Sequence, residues 1–224
     1  MAGTEQDDTD PKVLPEELAE HLRAKGRGIT VRKGAILIGH ADEAREVFLI
    51  ESGSAQVSIH SHDGKETIFR DIGENEMFGE MAAIDGAPRS ATVVATSDMR
   101  LSKISASAFE EWLEDTRGAG VWLARLLVSR MRDLTERNFE LATMTVMRRI
   151  HLELMRLAAG KPDEGNAVTI DDFPTHADFA ARIGTHREAV SRELSWLRDN
   201  GLIATKSRSL RILDIDRLKN MAMR

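Results

Sequence analysis

Cysteine is absent from this chain of 224 residues. Without thiols the protein cannot form disulfides, thiolate zinc sites or cysteine-ligated iron–sulfur clusters. The seven histidines are scattered, and only His60 and His62 lie close together, beside the turn Asp63-Gly64. A metal ion at this pair is conceivable, but solvated side chains on a hairpin are the preferred interpretation. We therefore expect no metal, haem or iron–sulfur cofactor.

Long apolar segments are missing as well. The longest, residues 121–128, is interrupted by Arg125, so we expect no stretch to span a bilayer. The first ten residues are acidic and lack an apolar centre, which argues against a signal peptide. We expect a cytoplasmic protein that does not bind membranes, with a disordered acidic tail over residues 1–12.

Sequence motifs of enzymes are also missing. The chain has no nucleophile–base pair, no metal-ligand spacing and no Walker-type loop. Its composition, 42% hydrophobic and 30% charged, is that of a globular protein with one large or two small domains. We therefore expect a binding protein rather than an enzyme.

Charge is unevenly distributed along the chain. The net charge of −6 by itself argues against nucleic-acid binding. Residues 160–224, however, carry 11 basic and 10 acidic side chains, which leaves 20 basic and 27 acidic, a net −7, for the rest. Within residues 182–211 there are seven basic and three acidic side chains. The acidity belongs to the front of the chain, and a basic patch lies near its end.

Residues 78–93 form the most informative stretch. Gly79 allows the backbone to come close to a ligand because it has no Cβ. Glu80 offers two oxygens to a sugar hydroxyl, and residues 82–84 suit one helical turn whose free N–H groups face an anion. Arg89 follows after a turn and carries a planar set of donors that matches a phosphate. The whole pattern predicts a loop that binds a ribose phosphate.

This stretch closely resembles the phosphate-binding cassette of cyclic-nucleotide-binding domains. The resemblance implies that Glu80 binds the ribose 2′-hydroxyl, that Arg89 binds the cyclic phosphate, and that the Ser90 hydroxyl reaches the purine. Backbone groups would come from Gly79, Ser90 and Ala91. Four apolar side chains are candidates for the pocket lining, although ordinary core is an equally good interpretation of each: Val57, Phe69, Ile72 and Met81.

Short apolar runs separated by glycines follow one another from Ile29 onward. Such punctuation predicts short antiparallel strands, as in a barrel or roll. His62-Asp63-Gly64-Lys65 predicts a hairpin turn, and a strand is expected to continue from Ala91 to about Ile104. We expect a short helix near residues 15–25 and a jelly roll, the form that the cassette implies, over residues 13–116.

A long helix is predicted from about Val121 to Met144. Six of its residues repeat at spacings of three and four, which is typical of a coiled-coil seam: Ala124, Leu127, Met131, Leu134, Asn138 and Leu141. The alternative is a helix packed on its own domain. Asn138 favours the coiled coil, because a buried Asn can pair with its symmetry mate. We therefore assign residues 117–144 to dimerisation.

A second domain is predicted over residues 145–224. Thr145 is a plausible N-cap for a helix over residues 146–159. Two capping boxes, Thr175–Asp178 and Thr185–Glu188, begin two short helices joined by a turn at Gly184, as in a helix-turn-helix. Inward-facing apolar positions on the second helix are Val190, Leu194 and Leu197, and the opposite arc carries Arg187, Glu188, Ser191, Arg192 and Ser195. A β-hairpin wing follows, with Lys206 and Arg208 at its basic tip.

This order of parts resembles the family of bacterial transcription regulators that includes the catabolite activator protein and the fumarate–nitrate-reduction regulator. The resemblance covers roughly residues 29–213, and the motif at 185–192 is close to the catabolite-activator branch. It implies that Arg187 and Arg192 donate to guanines of a TGTGA half-site and that Glu188 accepts from a cytosine amino group. Phosphate contacts are expected from Thr175, His186, Ser191, Lys206 and Arg208.

The resemblance also implies an α+β fold and a function. We expect a homodimer, controlled by cyclic AMP or cyclic GMP, that binds an inverted repeat in double-stranded DNA and works with RNA polymerase. Where the cyclic-AMP branch has a Thr-Ser pair that contacts adenine, this chain has Leu134-Thr135. Adenine and guanine therefore both stay candidates for the base of the ligand. The alternative is a non-enzymatic cyclic-nucleotide sensor that acts on a protein partner, and the Arg187, Glu188 and Arg192 face speaks against it.

Overall fold

A computed structural model describes residues 10–61, 65–162 and 165–223. Most of the predicted acidic tail and residues 62–64 of the predicted hairpin turn lie outside the described residues. The chain divides into two compact units. The first contains the described residues up to Ser61 and Ile68–Asp133, and the second contains Leu134 onward with the short segment that ends at Thr67.

Two four-stranded antiparallel sheets build the first unit. The strands are β1 (Arg27–Val31), β2 (Ile36–Ile38), β3 (Val47–Ser52), β4 (Ala55–His60), β5 (Glu66–Ile72), β6 (Met77–Phe78), β7 (Thr92–Ala95) and β8 (Met99–Ile104). One sheet has the order β1-β8-β3-β6 and the other β2-β7-β4-β5. Apart from β4 and β5, the strands that pair with one another are not consecutive in the chain, as in the predicted jelly roll.

Apolar side chains from both sheets share one core. Phe48 and Ile50 come from the first sheet and Val93 from the second, and all three are buried in the same cluster. The Phe48 and Phe78 rings stack with their centroids 5.0 Å apart. The single strand predicted from Ala91 to Ile104 was wrong, because the chain turns at residues 96–98 and its two halves join different sheets.

Helices cover the other face of the first sheet. They are α1 (Glu16–Ala24), α2 (Glu80–Asp85), α3 (Ala106–Asp115) and the beginning of α4 (Ala119–Thr143). Trp112 and Trp122 are buried with Leu49 of β3 in a second core cluster. α4 starts two residues before the predicted Val121, so Gly120 lies inside the helix. The helix continues from the first unit into the second.

The second unit is a three-stranded sheet with helices. Its elements after α4 are α5 (Val146–Ala158), β9 (Val168–Ile170), α6 (His176–Ile183), α7 (Arg187–Asp199), β10 (Ile203–Lys206), β11 (Ser209–Ile212) and α8 (Ile215–Met223). The predicted two-stranded wing is extended by β9, which pairs with β11. The sequence patterns predicted neither β9 nor α8. For β9 the reason is its length of only three residues and a pairing partner about forty residues away.

Helix caps in the second unit partly follow the prediction. Thr145 and Thr175 are N-caps whose hydroxyls accept from the Arg148 and Asp178 amides. Gly184 ends α6 in the left-handed conformation, with φ of 66°. The capping box predicted at Thr185 was wrong. The N-cap of α7 is His186, whose side chain makes no capping hydrogen bond, so α7 begins one residue later than the pattern suggested.

Candidate functional site

A short helix begins the candidate site. α2 starts directly after Gly79, whose φ of 88° lies in the left-handed region that favours glycine. A Cβ at this position would lie 2.7 Å from the Glu46 carbonyl oxygen and 2.8 Å from Arg89 Nη1. Glycine is therefore required here by the backbone conformation and by the close approach of Arg89.

Arg89 is a buried cation, only 4% exposed. Its Nη1 donates to the Gly79 carbonyl oxygen at 2.9 Å, and Nη2 donates to the Glu46 carbonyl oxygen at 2.7 Å. Within the described part of the chain, Nε has no hydrogen-bond acceptor. Buried N–H groups are rarely left unpaired in folded proteins, so this guanidinium retains a donor for a ligand.

The electrostatics of Arg89 favour an anion. Burial lowers the pKa of its guanidinium, and the carboxylates of Glu46, Glu80 and Asp42 oppose that shift. Arginine nevertheless stays protonated in proteins, so the side chain is a desolvated positive charge. A phosphate would supply the charge and the acceptor that Nε lacks. The residues present therefore fit a phosphate group.

Glu80 is the first residue of α2 and is 2% exposed. Its carboxylate accepts a hydrogen bond from Arg130 Nη1, which reaches it from α4 within the same unit. Arg130 Nη2 also donates to the Met77 carbonyl oxygen at 3.2 Å. Arg130 thus compensates the buried carboxylate and reduces the repulsion that Glu80 would exert on an anionic ligand.

In the second unit, the polar face that the sequence predicts for DNA recognition lies on α7. Val190 and Leu197 are fully buried and Leu194 nearly so, and they hold the helix against the core. Arg187, Glu188 and Arg192 are exposed. One side of α7 is therefore anchored, and the other presents two guanidiniums and a carboxylate to the surface.

A groove of about 460 Å³ lies between α6, α7 and the wing. Two arginines, a histidine, several hydroxyl groups and apolar side chains line it, and none of the lining side chains is a carboxylate: Phe173, Pro174, Thr175, His176, Ser191, Leu194, Ser195, Arg198, Thr205, Ser207, Arg208 and Ser209. His176 Nδ1 lies 2.8 Å from Ser191 Oγ, so these two groups share a hydrogen bond. The groove has the chemistry of a phosphate-binding surface.

Comparison with known proteins decides the family. Residues 29–116 match the cyclic nucleotide-binding domain, and residues 123–221 match the Crp-like helix-turn-helix domain. The chain belongs to the CRP/FNR family of transcription regulators. It has one domain of the cyclic-nucleotide-binding type and one helix-turn-helix domain, which implies DNA binding.

Several known proteins are similar to this CRP/FNR-family regulator. A CRP-like cAMP-activated global transcriptional regulator from Mycobacterium tuberculosis is 25% identical over 191 residues, 85% of each chain. Two solved structures share the fold. A CooA mutant from Carboxydothermus hydrogenoformans has a TM-score of 0.81 at 19% identity and covers 96% of both chains. The c-di-GMP-responsive regulator CLP from Xanthomonas campestris has a TM-score of 0.77 at 20% identity, covering 88% of this chain and 99% of that one.

In this regulator the predicted nucleotide residues fall into three environments. Gly79, Glu80 and Arg89 are brought together at α2. Ser90 is exposed, with Oγ 3.6 Å from the sulfur of Met81, and Ala91 is half-buried. Of the predicted lining, Ile72 lies in the core between the sheets, Val57 packs against that core, Phe69 is half-buried and Met81 is 49% exposed. Ile72 is thus better described as ordinary core.

Most of the predicted dimer seam is exposed on α4. Ala124, Met131, Leu134, Asn138 and Leu141 are exposed, whereas Leu127 packs partly against the core of the first unit. Thr135, predicted to contact the purine, is exposed as well. Further exposed apolar side chains on α4 are Val121, Val128 and Phe139. A helix that leaves this many apolar groups at the surface has the character of an interface.

The predicted DNA contacts lie around the groove and the exposed side of α7. Thr175, His186, Lys206 and Arg208 are exposed, and Ser191 is half-buried through its contact with His176. No local pattern singles out His176 or Arg198, which the fold brings beside the wing. Arg130 and Glu46 were missed for the same reason, because each meets the cassette from more than forty residues away.

Among the residues that the structure describes, no helix is long and apolar enough to cross a membrane. Over the same ranges, no group of three or more His, Asp or Glu side chains is arranged to hold a metal ion.

Proposed function

We propose that this protein is a homodimeric transcription regulator whose affinity for an inverted-repeat DNA site is controlled by a purine 3′,5′-cyclic nucleotide. The observation that carries the proposal is the buried guanidinium of Arg89, with Nε lacking an acceptor among the described residues. Family membership explains why such a site occurs in one chain with a helix-turn-helix.

The phosphate end of the site rests on three residues. Arg89 would donate to the cyclic phosphate through Nε while its Nη atoms stay bound to backbone carbonyls. Glu80 would accept from the ribose 2′-hydroxyl, and Arg130 would hold that carboxylate in place. Gly79 would let the backbone approach the ligand, as its left-handed φ already requires.

The purine end of the proposed site involves Ser90 and two residues of α4. Ser90 is exposed beside the cassette and carries a hydroxyl that can donate or accept. Leu134 and Thr135 remain predictions from the family resemblance. The Mycobacterium tuberculosis relative is named as cAMP-activated, which makes cyclic AMP the leading ligand. Cyclic GMP is the second candidate, because a Thr hydroxyl serves the adenine amino group or the guanine carbonyl equally well.

The proposed DNA-binding surface carries exposed hydrogen-bond donors and an exposed acceptor on α7. Arg187 and Arg192 would donate to guanines and Glu188 would accept from a cytosine in TGTGA-like half-sites. The carboxylate-free groove would take the phosphate backbone, with Arg198 and Arg208 supplying positive charge. RNA polymerase is the protein partner that the family resemblance leads us to expect.

A mobility-shift titration tests the proposal. DNA carrying TGTGA-like half-sites is titrated without ligand and with cyclic AMP, cyclic GMP or cyclic di-GMP, since CLP is described as c-di-GMP responsive. We expect a higher DNA affinity with cyclic AMP, a smaller or equal effect of cyclic GMP, and none with cyclic di-GMP. Nucleotide binding with no DNA binding under any condition would instead favour the sensor that acts on a protein partner.

A further inference from the structure

Arg149, near the beginning of α5, is a buried guanidinium that binds the ends of two helices. Its Nη1 donates to the Met144 carbonyl oxygen at 2.9 Å, just past the end of α4. Its Nε donates to the Ile183 carbonyl oxygen at 3.0 Å, and Nη2 lies 3.4 Å from the Gly184 carbonyl oxygen. All three acceptors are backbone groups, and two of them form the turn of the helix-turn-helix.

Helix ends make strong acceptors for such a cation. The last carbonyls of a helix have no intrahelical partner, and they carry the negative end of its dipole. Arg149 therefore satisfies carbonyls at the ends of α4 and α6 with one rigid, planar group. A lysine would keep the charge but could not span three acceptors with fixed geometry. Because the acceptors lie at the ends of two different helices, the guanidinium sets the distance between those helix ends.

A second guanidinium strengthens the same junction. Arg137, on α4, donates through Nη1 to the Arg182 carbonyl oxygen at 3.0 Å, one residue before the acceptors of Arg149. The packing there is tight. A Cβ on Gly184 would lie 2.8 Å from Leu141 Cδ2. The turn between α6 and α7 is thus held directly against the last turns of α4.

Ion pairs hold α4 and α5 to each other at the same level. Arg156, on α5, makes a two-pronged contact with the buried carboxylate of Glu140, on α4. Its Nη1 also lies 3.5 Å from Glu153 Oε2, which in turn is 3.8 Å from Arg137 Nη2. These ion pairs hold α4 and α5 together, and Arg149 extends from α5 to the turn between α6 and α7.

We infer that Arg149 is a positioning residue that couples the end of α4 to the recognition helix α7. A change in the direction of α4 is carried by the guanidinium to residues 183–184, and from there to α7, which begins three residues later. The response to nucleotide rests on the proposed function. The mechanical link between α4 and the turn does not, because it depends only on the contacts above.

The test compares two adjacent arginines of α5. Arg149→Lys removes the guanidinium that donates to the Ile183 and Gly184 carbonyl oxygens. Arg148→Lys is the matched control, because Arg148 Nε also donates to a backbone carbonyl, that of Ala222 in α8, at 3.1 Å. Both full-length variants are checked by thermal unfolding, and amide hydrogen exchange is then followed over residues 180–190. Their DNA affinity is measured with and without saturating cyclic AMP, and their cyclic-AMP affinity by calorimetry.

We expect Arg149→Lys to speed exchange over residues 180–190 at least tenfold, whereas Arg148→Lys leaves this segment unchanged. Arg149→Lys should bind cyclic AMP as the parent does, yet the ratio of its DNA affinities with and without nucleotide should fall to within about twofold of one. Unchanged exchange, or a preserved ratio, overturns the inference. A parent protein that ignores nucleotide counts against the proposed function, and in that case hydrogen exchange alone decides the role of Arg149.

Discussion

At the scale of single residues, the environment of Arg89 determines what the first unit can bind. The guanidinium is buried, burial lowers its pKa, and two of its donors are committed to carbonyls. Those two hydrogen bonds orient the planar guanidinium, and they therefore fix the direction in which the remaining Nε–H points. An anion that meets it gains a charge-assisted hydrogen bond without first ordering the arginine.

Removing this guanidinium gives the first prediction. A charge-assisted hydrogen bond contributes about 1.5–3 kcal/mol, so Arg89→Ala should weaken cyclic-AMP binding at least about tenfold. Arg45→Ala is the control, because Arg45 is exposed. Isothermal calorimetry on both variants measures the effect, after circular dichroism has shown that both are folded. Equal affinities for Arg89→Ala and the parent would rule out this arginine as the phosphate ligand.

At the scale of elements, α4 has one buried face and one exposed apolar face. Trp122, Leu123 and Leu126 are buried in the first unit, while Met131, Leu134 and Leu141 are exposed. We propose that the exposed stripe contacts a second copy of the helix. Leu127 lies between the two sets, so its substitution would disturb the core as well as the seam.

Met131→Lys is therefore the cleaner test of dimerisation. Met131 is 67% exposed in the single chain, so lysine should not harm the fold of the monomer. In a dimer the same lysine would bury an unpaired charge, at a cost of several kcal/mol. Multi-angle light scattering should show a monomer for Met131→Lys and a dimer for Glu136→Lys, which alters an exposed residue outside the seam. A dimer in both cases would place the interface elsewhere.

α7 and the wing should affect DNA binding in different ways. Arg192→Ala should cost roughly 1–3 kcal/mol on the preferred site and relax the preference at one base pair. Arg208→Ala, at the wing, should weaken all sequences alike and reduce the dependence of affinity on salt. Fluorescence anisotropy with single-base variants of the site, at several salt concentrations, separates the two effects. Undiminished selectivity in Arg192→Ala would show that other side chains read the bases.

At the scale of the whole molecule, the proposed function requires that nucleotide binding change the affinity for DNA. A ligand can shift a conformational equilibrium only through a difference in its affinity for the two states. Thr135 lies on α4, next to the seam residue Leu134, and a contact between its hydroxyl and the purine would supply that difference. Typical coupling energies of about 1–3 kcal/mol correspond to a change of about 5–150-fold in DNA affinity.

Thr135→Val separates binding from activation. The substitution removes one hydroxyl and keeps the shape, so the variant should retain much of the parent's affinity for cyclic AMP through Arg89 and Glu80. Most of the activation of DNA binding should nevertheless be lost. Thr143→Val, another exposed threonine of α4, whose hydroxyl donates to the Phe139 carbonyl oxygen, is the control. Full activation of Thr135→Val would contradict a role for this hydroxyl.

The sequence by itself determined the parts whose residues are contiguous. Gly79, Glu80 and Arg89 lie within eleven positions, and the turn at Gly184 separates two helices whose apolar spacing is local. Helix periodicity, glycine conformations and Thr caps depend on neighbours three or four residues away, so a single sequence carries them. Short apolar runs separated by glycine turns predicted the antiparallel strands for the same reason, whereas the jelly roll followed from the family resemblance.

Tertiary structure alone decided which distant groups meet those parts. Arg130 pairs with Glu80 across 50 positions, and Arg149 reaches the Ile183 carbonyl across 34. Long, flexible arginine side chains can reach many acceptors, and nothing in the local pattern distinguishes the one that packing selects. The N-cap of α7 at His186 and the separation of β7 from β8 into different sheets have the same origin, because burial of the core outweighs a local capping or strand preference of about 1 kcal/mol.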